Sequence, residues 1–420
     1  MRILYVISMA TAFSMEIDSV TVPYFLKYII AFIWIIIGAF YDHVEGCFLK
    51  IRITKIKKDL FTLFLLPIIL AFLYTFIIWL MGLSGHISFS HIMRLISNLG
   101  CMAIIAASAI MCTSIFGKDV IRLTFIALIL TIAFNAIVVI QNYGLSSMIT
   151  YICHVFQADS YAYGSTLSRV SYAMEIHDGT FAMGFFLLYF IFYEKADKKA
   201  KFLQIMMALF CSYLGFKRNE LIGVIVASLI ATTVVRKKGK NFLQTNQIVT
   251  FFALIACFSF VVAIKHIDQM TVLLSTLDIF RIRLYRFMSG LYSISPFYFG
   301  KGYTYVNYIL GNQTTLLGTS HSDLVRVYVE MGFWGFIAWI WYYFTYIPRY
   351  IYRNYSKLAG KMFMMFSFYI FATYFLDNTL TMFANQFVYY VIPIAVLYNE
   401  YDCKYNIGIF NKKKNNNYID

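Results

Sequence analysis

Charge is what this sequence has least of. Only 13% of its 420 residues are Asp, Glu, Lys or Arg, about half the share in an ordinary soluble domain, and only 20 are acidic. So little polar side chain cannot cover a water-soluble globule, which excludes that class. Five prolines and 22 glycines exclude a collagen-like or low-complexity chain. The seven cysteines (Cys47, Cys101, Cys112, Cys153, Cys211, Cys257 and Cys403) include no CxxC pair and fall mostly in apolar runs, where a thiol behaves as a small hydrophobe. They indicate neither a metal site nor a disulfide framework. Gly-rich phosphate loops, nucleotide-binding fingerprints and metal-ligand clusters are missing, and the apolar runs hold almost no ionisable residue that could serve an ion or proton relay.

What is present is apolar and aromatic: 61% and 19% of the chain, with a mean hydropathy of +0.70. Runs long enough to cross a hydrocarbon core recur near residues 3–15, 24–41, 60–82, 93–115, 121–142, 179–193, 202–216, 221–235, 247–264, 332–348, 362–376 and 382–399. We read these as about 12 transmembrane helices in a single all-α polytopic membrane domain spanning 1–420. The first run is short, but no small-residue cleavage site follows it and a second apolar run does, so it reads as a span and not a signal peptide. With the N-terminus inside, the cytoplasmic segments (Arg2, 42–59, 116–122, 194–201, 236–241, 349–361 and the tail) hold 24 of the 35 Lys and Arg but nine of the 20 Asp and Glu. They therefore contain the whole formal excess of +15, and the rest of the chain balances. This distribution places both termini in the cytoplasm and assigns the basic balance to membrane orientation, with no nucleic-acid partner. The tail NKKKNNN at 411–417 reads as a solvated end able to touch anionic lipid head groups.

Chemistry is expected outside. Two outward segments exceed turn length, 143–178 and 265–331, and six of the seven histidines (His86, His91, His154, His177, His266 and His321) lie in outward regions. Within the larger loop, 277–294 reads as a helix lying in the outer interface, with Phe280, Leu284, Phe287 and Leu291 on one stripe. Arg283 and Arg286, i,i+3 neighbours, flank that stripe and can converge on one anion, whereas Arg281 projects from its other side. Snorkelling of arginines above the interface accounts for the same pattern. The turn Lys217-Arg218-Asn219-Glu220 sets two cations on the side where cations are scarce; a phosphate partner explains it, and so does a hairpin neutralised by Glu220. Arg169, in the outer loop before the sixth span, is a further cation of this kind.

The run Gly318-Thr319-Ser320-His321-Ser322-Asp323 precedes a helical pattern from Leu324 to Met331, so its hydroxyl and carboxylate residues are expected to cap that helix. A histidine there feels the positive end of the helix dipole, which favours the neutral imidazole a general base requires. A capping or packing histidine fits the position as well. Arg326 and Glu330, at i,i+4, are expected to pair and brace the helix. Tyr285, Tyr292, Tyr298, Tyr303, Tyr305 and Tyr308 enrich the same loop, as interfacial aromatic belts do, and none is assigned to substrate.

In this combination the chain resembles the O-antigen polymerase and ligase superfamily (Wzy/WaaL-type, multi-pass GT-C glycosyltransferases) over roughly its second half. The features that match are an Arg in the outer turn Phe216-Lys217-Arg218-Asn219-Glu220-Leu221, and a large loop opening with Arg283, Phe287, Pro296 and Gly300-Lys301-Gly302. The loop closes with His321-Ser322-Asp323 and Glu330-Met331-Gly332 before the next span. It departs from the family in Ser322, where Asn is common, in Lys217, where Ser is usual, and in Phe287, where Trp is usual. Of the three loop arginines Arg283 is chosen by its spacing to Phe287, with Arg286 second.

The resemblance implies a GT-C-like, metal-independent inverting transfer without cofactor, at the periplasmic face of the bacterial inner (plasma) membrane. The glycan passes from an undecaprenyl-diphosphate-type polyisoprenyl carrier to a sugar hydroxyl. His321 is then the catalytic base, Arg218, Arg283 and Arg286 bind the diphosphate, and Arg169, Lys217, Arg281, Asp323, Arg326 and Glu330 are supporting candidates. The partners it implies are the lipid-linked glycan donor and acceptor, membrane lipid and a chain-length regulator protein. The high Phe and Tyr content and idiosyncratic sequence resemble polymerases of oligosaccharide repeat units, of lipopolysaccharide O-antigen for example. The ligase that moves polymer to an acceptor lipid is the sister reading. A lipid-linked oligosaccharide flippase should instead carry charges along a path inside its spans.

Overall fold

The computed structural model describes residues 1–14, 25–44, 50–85, 87–155, 165–174, 177–215, 218–234, 242–269, 279–311, 320–375 and 377–405. Among the described residues all regular structure is helical, so that each segment satisfies its own backbone groups, one of the two ways a chain can cross lipid, where no water is at hand to do so. The first part of the chain forms α1 (Arg2–Ser14), α2 (Leu26–Val44), α3 (Lys50–Leu80), α4 (Phe89–Phe116) and α5 (Asp119–Tyr143). Next come the short α6 (Leu145–Cys153) and α7 (Thr166–Met174), then α8 (His177–Phe192), α9 (Lys198–Gly215), α10 (Arg218–Val234) and α11 (Phe242–Lys265). The large loop contributes α12 (Ile279–Ser289) and α13 (Tyr305–Gly311). The chain finishes with α14 (Asp323–Trp341), a π-helical turn (Tyr342–Tyr346), α15 (Ile347–Asn354), α16 (Lys357–Tyr374) and α17 (Phe383–Tyr405).

Within the described residues every apolar run read from the sequence is helical over all but its end residues, and the run at 332–348 continues from α14 through the π-helical turn into α15. Among the described residues five stretches, Lys55–Leu80, Phe89–Phe116, Asp119–Tyr143, Phe242–Lys265 and Asp323–Asn354, are long and apolar enough to cross a membrane, and several shorter helices are apolar too. Their outer faces are greasy: α3 leaves Ile69, Leu70, Leu73, Phe76 and Ile77 exposed, an arrangement stable against lipid and unstable against water. The centre of the molecule is α17. It is apolar nearly all round and correspondingly buried from Phe383 to Tyr398, packed on α4, α5, α8 and α16.

One boundary differs in a way that matters for the site. The span expected to open at 332 belongs to a helix that begins at Asp323. Ser322 caps it, its Oγ accepting from the Val325 N–H at 3.4 Å, and the helix is interrupted at Gly332 (φ 68°, ψ −172°). The segment 323–331 is thus a separate helical piece, set on top of the apolar run by a break only glycine makes cheaply.

Candidate functional site

The loop motifs Gly300-Lys301-Gly302 and Glu330-Met331-Gly332, thirty residues apart in sequence, form one clasp. The Lys301 N–H donates to Val329 O (3.0 Å), Gly302 N–H to Glu330 O (2.8 Å) and Phe333 N–H to Tyr298 O (2.8 Å). Both Gly300 (φ +90°) and Gly332 (φ +68°) are left-handed and in backbone contact: a Cβ on Gly300 would sit 2.4 Å from Glu330 O, and one on Gly332 2.3 Å from the Phe299 carbonyl carbon. No side chain fits at either place, which is the physical content of the two glycine motifs. The Tyr298 hydroxyl donates to Val329 O at 2.7 Å. Burial, then the neighbouring phenols and Glu330, raises its pKa far above the ordinary tyrosine range, so it acts as a neutral donor. The clasp docks on the end of α3 through Tyr74 Oη to Phe299 O (2.7 Å), Tyr303 N to Thr75 Oγ1 (2.9 Å) and Lys301 Nζ to Leu83 O (2.8 Å).

Arg326 and Glu330 do not form the expected brace. Arg326 pairs with Asp323, Nη2 to Oδ1 at 2.8 Å, off the line of a hydrogen bond, both groups being buried. Glu330 is taken by the loop: its Oε1 accepts the Val306 N–H at 3.1 Å and caps the start of α13. Backbone donors at a helix start need an acceptor, and this need outranks an i,i+4 pair. Asp323 also works across chain segments. Its Oδ2 accepts Leu380 N–H at 2.6 Å, its N–H donates to Asp377 O at 3.2 Å, and Ser322 Oγ donates to Tyr374 O at 3.2 Å. The start of α14 is therefore tied to the connection between α16 and α17.

His321 stands immediately before that cap. It is half-buried and adopts φ 47°, an uncommon conformation for a non-glycine residue, held from both sides by the ties just described. Its carbonyl accepts the Tyr285 hydroxyl at 3.1 Å, which brings the loop helix α12 against it.

α12 corrects the expected phase of the arginines. Leu284, Tyr285 and Met288 are its buried residues and pack into the main core beside α11, while Phe287 is half-buried, so the helix is a packed element and not one resting free in the interface. At 100° per residue Arg281 lies one turn before Tyr285 on this inward face and is half-buried, whereas Arg283 points the opposite way and is exposed. Arg286 is exposed too, its Nε 2.6 Å from Asp268 Oδ1. The arginine on the His321 side is thus Arg281, with Arg283 and Arg286 turned away. Phe280's side chain and residues 270–278 lie outside the described residues.

The other candidates divide. Arg218 opens α10, but its side chain and Lys217 lie outside the described residues. Glu220, proposed as their neutralising partner, is buried and accepts the Ser212 hydroxyl at 2.6 Å. Arg169 is exposed on α7, which packs on α5 and α6. Among the described residues no group of three or more His, Cys, Asp and Glu is placed to hold a metal ion. Two participants carried no sequence signal: Tyr285, one of many loop tyrosines, and the 377–380 turn, whose ties to Asp323 are backbone contacts. By fold and site the described residues form an all-helical structure with several membrane-length helices and a hydrogen-bonded loop assembly around His321. No known family model matches the chain, and no curated protein matches it significantly.

Proposed function

We propose that the chain is a multi-pass glycosyltransferase that joins lipid-diphosphate-linked oligosaccharide repeat units into a surface polysaccharide on the outer side of a bacterial inner membrane. The observation that carries this reading is the union of weak, distant motifs in one assembly. The GKG and EMG segments interlock, and the loop helix that carries Arg281, Arg283 and Arg286 meets His321 through Tyr285. In this reading about twelve helices cross the membrane, both termini are cytoplasmic and 265–331 is the external loop. Of the buried charged and histidine side chains, Lys27, His91, Glu220, Asp323, Arg326, Glu330 and Asp377 then sit at or near the outer ends of their helices and Lys57 near the cytoplasmic end of α3, so that none lies midway across. That placement favours group transfer at one face over passage of a charged head group across the membrane.

The chemistry is a displacement at the anomeric carbon of the donor. The acceptor sugar hydroxyl attacks, its proton passes to the His321 imidazole, the new glycosidic C–O bond forms, and the bond to the diphosphate breaks with its electron pair leaving on phosphate oxygen. Guanidinium groups, Arg281 from α12 and Arg218 from the α9–α10 turn, neutralise the charge that grows on that leaving group.

Deleting the gene and resolving the surface polysaccharide by electrophoresis tests this. Loss of the long ladder with single repeat units still attached is the expected result, and His321→Ala should reproduce it at normal protein level. Loss of all attached repeats with lipid-linked polymer retained would identify a ligase. An unchanged ladder would refute both.

A further inference from the structure

Two irregular helix segments meet where the turn after α14 bonds to α3. Pro67 in α3 has no N–H for the Leu63 carbonyl one turn below it, and the Tyr342 hydroxyl donates to that carbonyl at 2.8 Å. Tyr342 opens the π-helical turn that follows α14. On the loop side of this junction α3 and α14 part and enclose a cavity of about 600 Å³, within the range of sites that bury a sizeable ligand.

The wall of this cavity is dry for a specific reason. Its tyrosines turn their hydroxyls into the protein: Tyr74 to Phe299 O at 2.7 Å, Tyr303 to Met102 Sδ at 3.3 Å, Tyr342 to Leu63 O, and Tyr343 to Tyr390. What remains to line the space is almost entirely rings and alkyl groups, a wall that favours hydrocarbon over water. Small residues make the room, Ala71 on α3 and Gly335 and Ala338 on α14. The rim includes Leu70, Leu73 and Ile77, about half exposed on the outer face of α3, so the space opens sideways where lipid would lie.

We propose that this cavity holds the polyisoprenyl tail of the lipid-diphosphate donor, an inference that rests on the function proposed above. Its roof is the clasp. Tyr303, bonded to Thr75, and Met331, between Glu330 and Gly332, both line the cavity, and Met331 ends the helical piece that starts beside His321. A chain threaded here has its polar end delivered to the loop assembly. A bulk phospholipid gains nothing from that continuity. The second groove, about 410 Å³ between α10, α11 and α16, is equally apolar but takes no lining residue from the clasp; because it begins one turn along α10 from Arg218, it is the rival site for the same tail.

The test uses the full-length protein in nanodiscs with two photoreactive probes, a diazirine-bearing polyisoprenyl diphosphate and a diazirine-bearing phosphatidylethanolamine. The polyisoprenyl probe should label peptides carrying Leu73 or Trp339, and unlabelled polyisoprenyl diphosphate should compete. Ala338→Trp should lower that labelling by roughly tenfold or more, because an indole fills the space a chain would occupy. Ala338→Leu should lower it less, and Ala256→Trp in the second groove should leave it unchanged; loss of labelling in folded Ala256→Trp with full labelling in Ala338→Trp would move the tail to that groove. Equal labelling by the phospholipid probe without competition, or full polyisoprenyl labelling in a folded Ala338→Trp protein, would overturn the proposal. Competed labelling together with an unchanged polysaccharide ladder on gene deletion would keep the cavity assignment and reject the polymerase. A ladder lost in His321→Ala but intact in folded Ala338→Trp would do the reverse.

Discussion

At the scale of single residues, the arginines decide between phosphate recognition and snorkelling. A snorkelling cation needs only charge and a long stem, so Lys replaces it, whereas bidentate phosphate binding needs the planar guanidinium fork. Arg281→Lys should therefore reduce polymer roughly ten- to a hundredfold, the equivalent of about 1.5–3 kcal/mol for a charge-assisted bond acting in the transition state. Arg283→Lys and Arg286→Lys should leave the ladder near wild type, since Arg283 faces away from Tyr285 and the Arg286–Asp268 pair is 53% and 68% exposed. A ladder more sensitive at 283 than at 281 would reverse the assignment. The sequence could not make this choice. Phe280, Leu284, Phe287 and Leu291 define one apolar arc and Leu284, Tyr285 and Met288 an overlapping one, and which turns inward depends on α11 and His321, partners distant in the chain. His321 itself was legible as the residue before a capped helix start, and Ser322 does cap it. What Glu330 does was not, because its partner is a backbone N–H of the loop.

At the scale of elements, legibility follows from what sets each helix. Apolar runs bounded by charge located the long helices well, because length and hydropathy are local properties that the lipid solvent reads directly. Helix starts were less accessible where a cap extends the helix past its apolar run, as Ser322 does for α14, and the π-helical turn at 342–346 left no local trace. That turn is stabilised from outside by the Tyr342–Leu63 bond, which makes a double-substitution experiment informative. Tyr342→Phe should cost about 1 kcal/mol, the value of leaving a buried carbonyl without its donor. In a Pro67→Ala background residue 67 regains an N–H that can take the Leu63 carbonyl, and the same Tyr342→Phe change should then cost close to nothing. Thermal unfolding of the four proteins in one detergent measures the coupling. Equal costs in both backgrounds would mean that Tyr342 does not substitute for the missing helix bond.

At the scale of the whole molecule, orientation rests on a distribution that no single residue carries. The segments read as cytoplasmic hold 24 of 35 cations and nine of 20 acids, and an error of one in the number of crossings would export a basic loop such as 194–201 or 236–241. The structure adds a constraint of a different kind. The two ends of α14 have opposite characters, with the buried ties of Ser322, Asp323 and Glu330 at one and Arg349 and Arg353 of α15 beyond the other. Arg349 bonds through its Nε to Asn246 Oδ1 at 2.7 Å near the start of α11, so α11 and α15 bring their basic approaches to the same side. In the proposed orientation this cation-rich side is the cytoplasmic one, and the clasp and His321 are on the other. A reporter active only in the cytoplasm should accordingly work when fused after Asp420 or inserted within 236–241, and stay silent when inserted after Gly311. An active reporter after Gly311 would place the clasp inside, away from any externally presented glycan, and the proposed chemistry would fall with the topology.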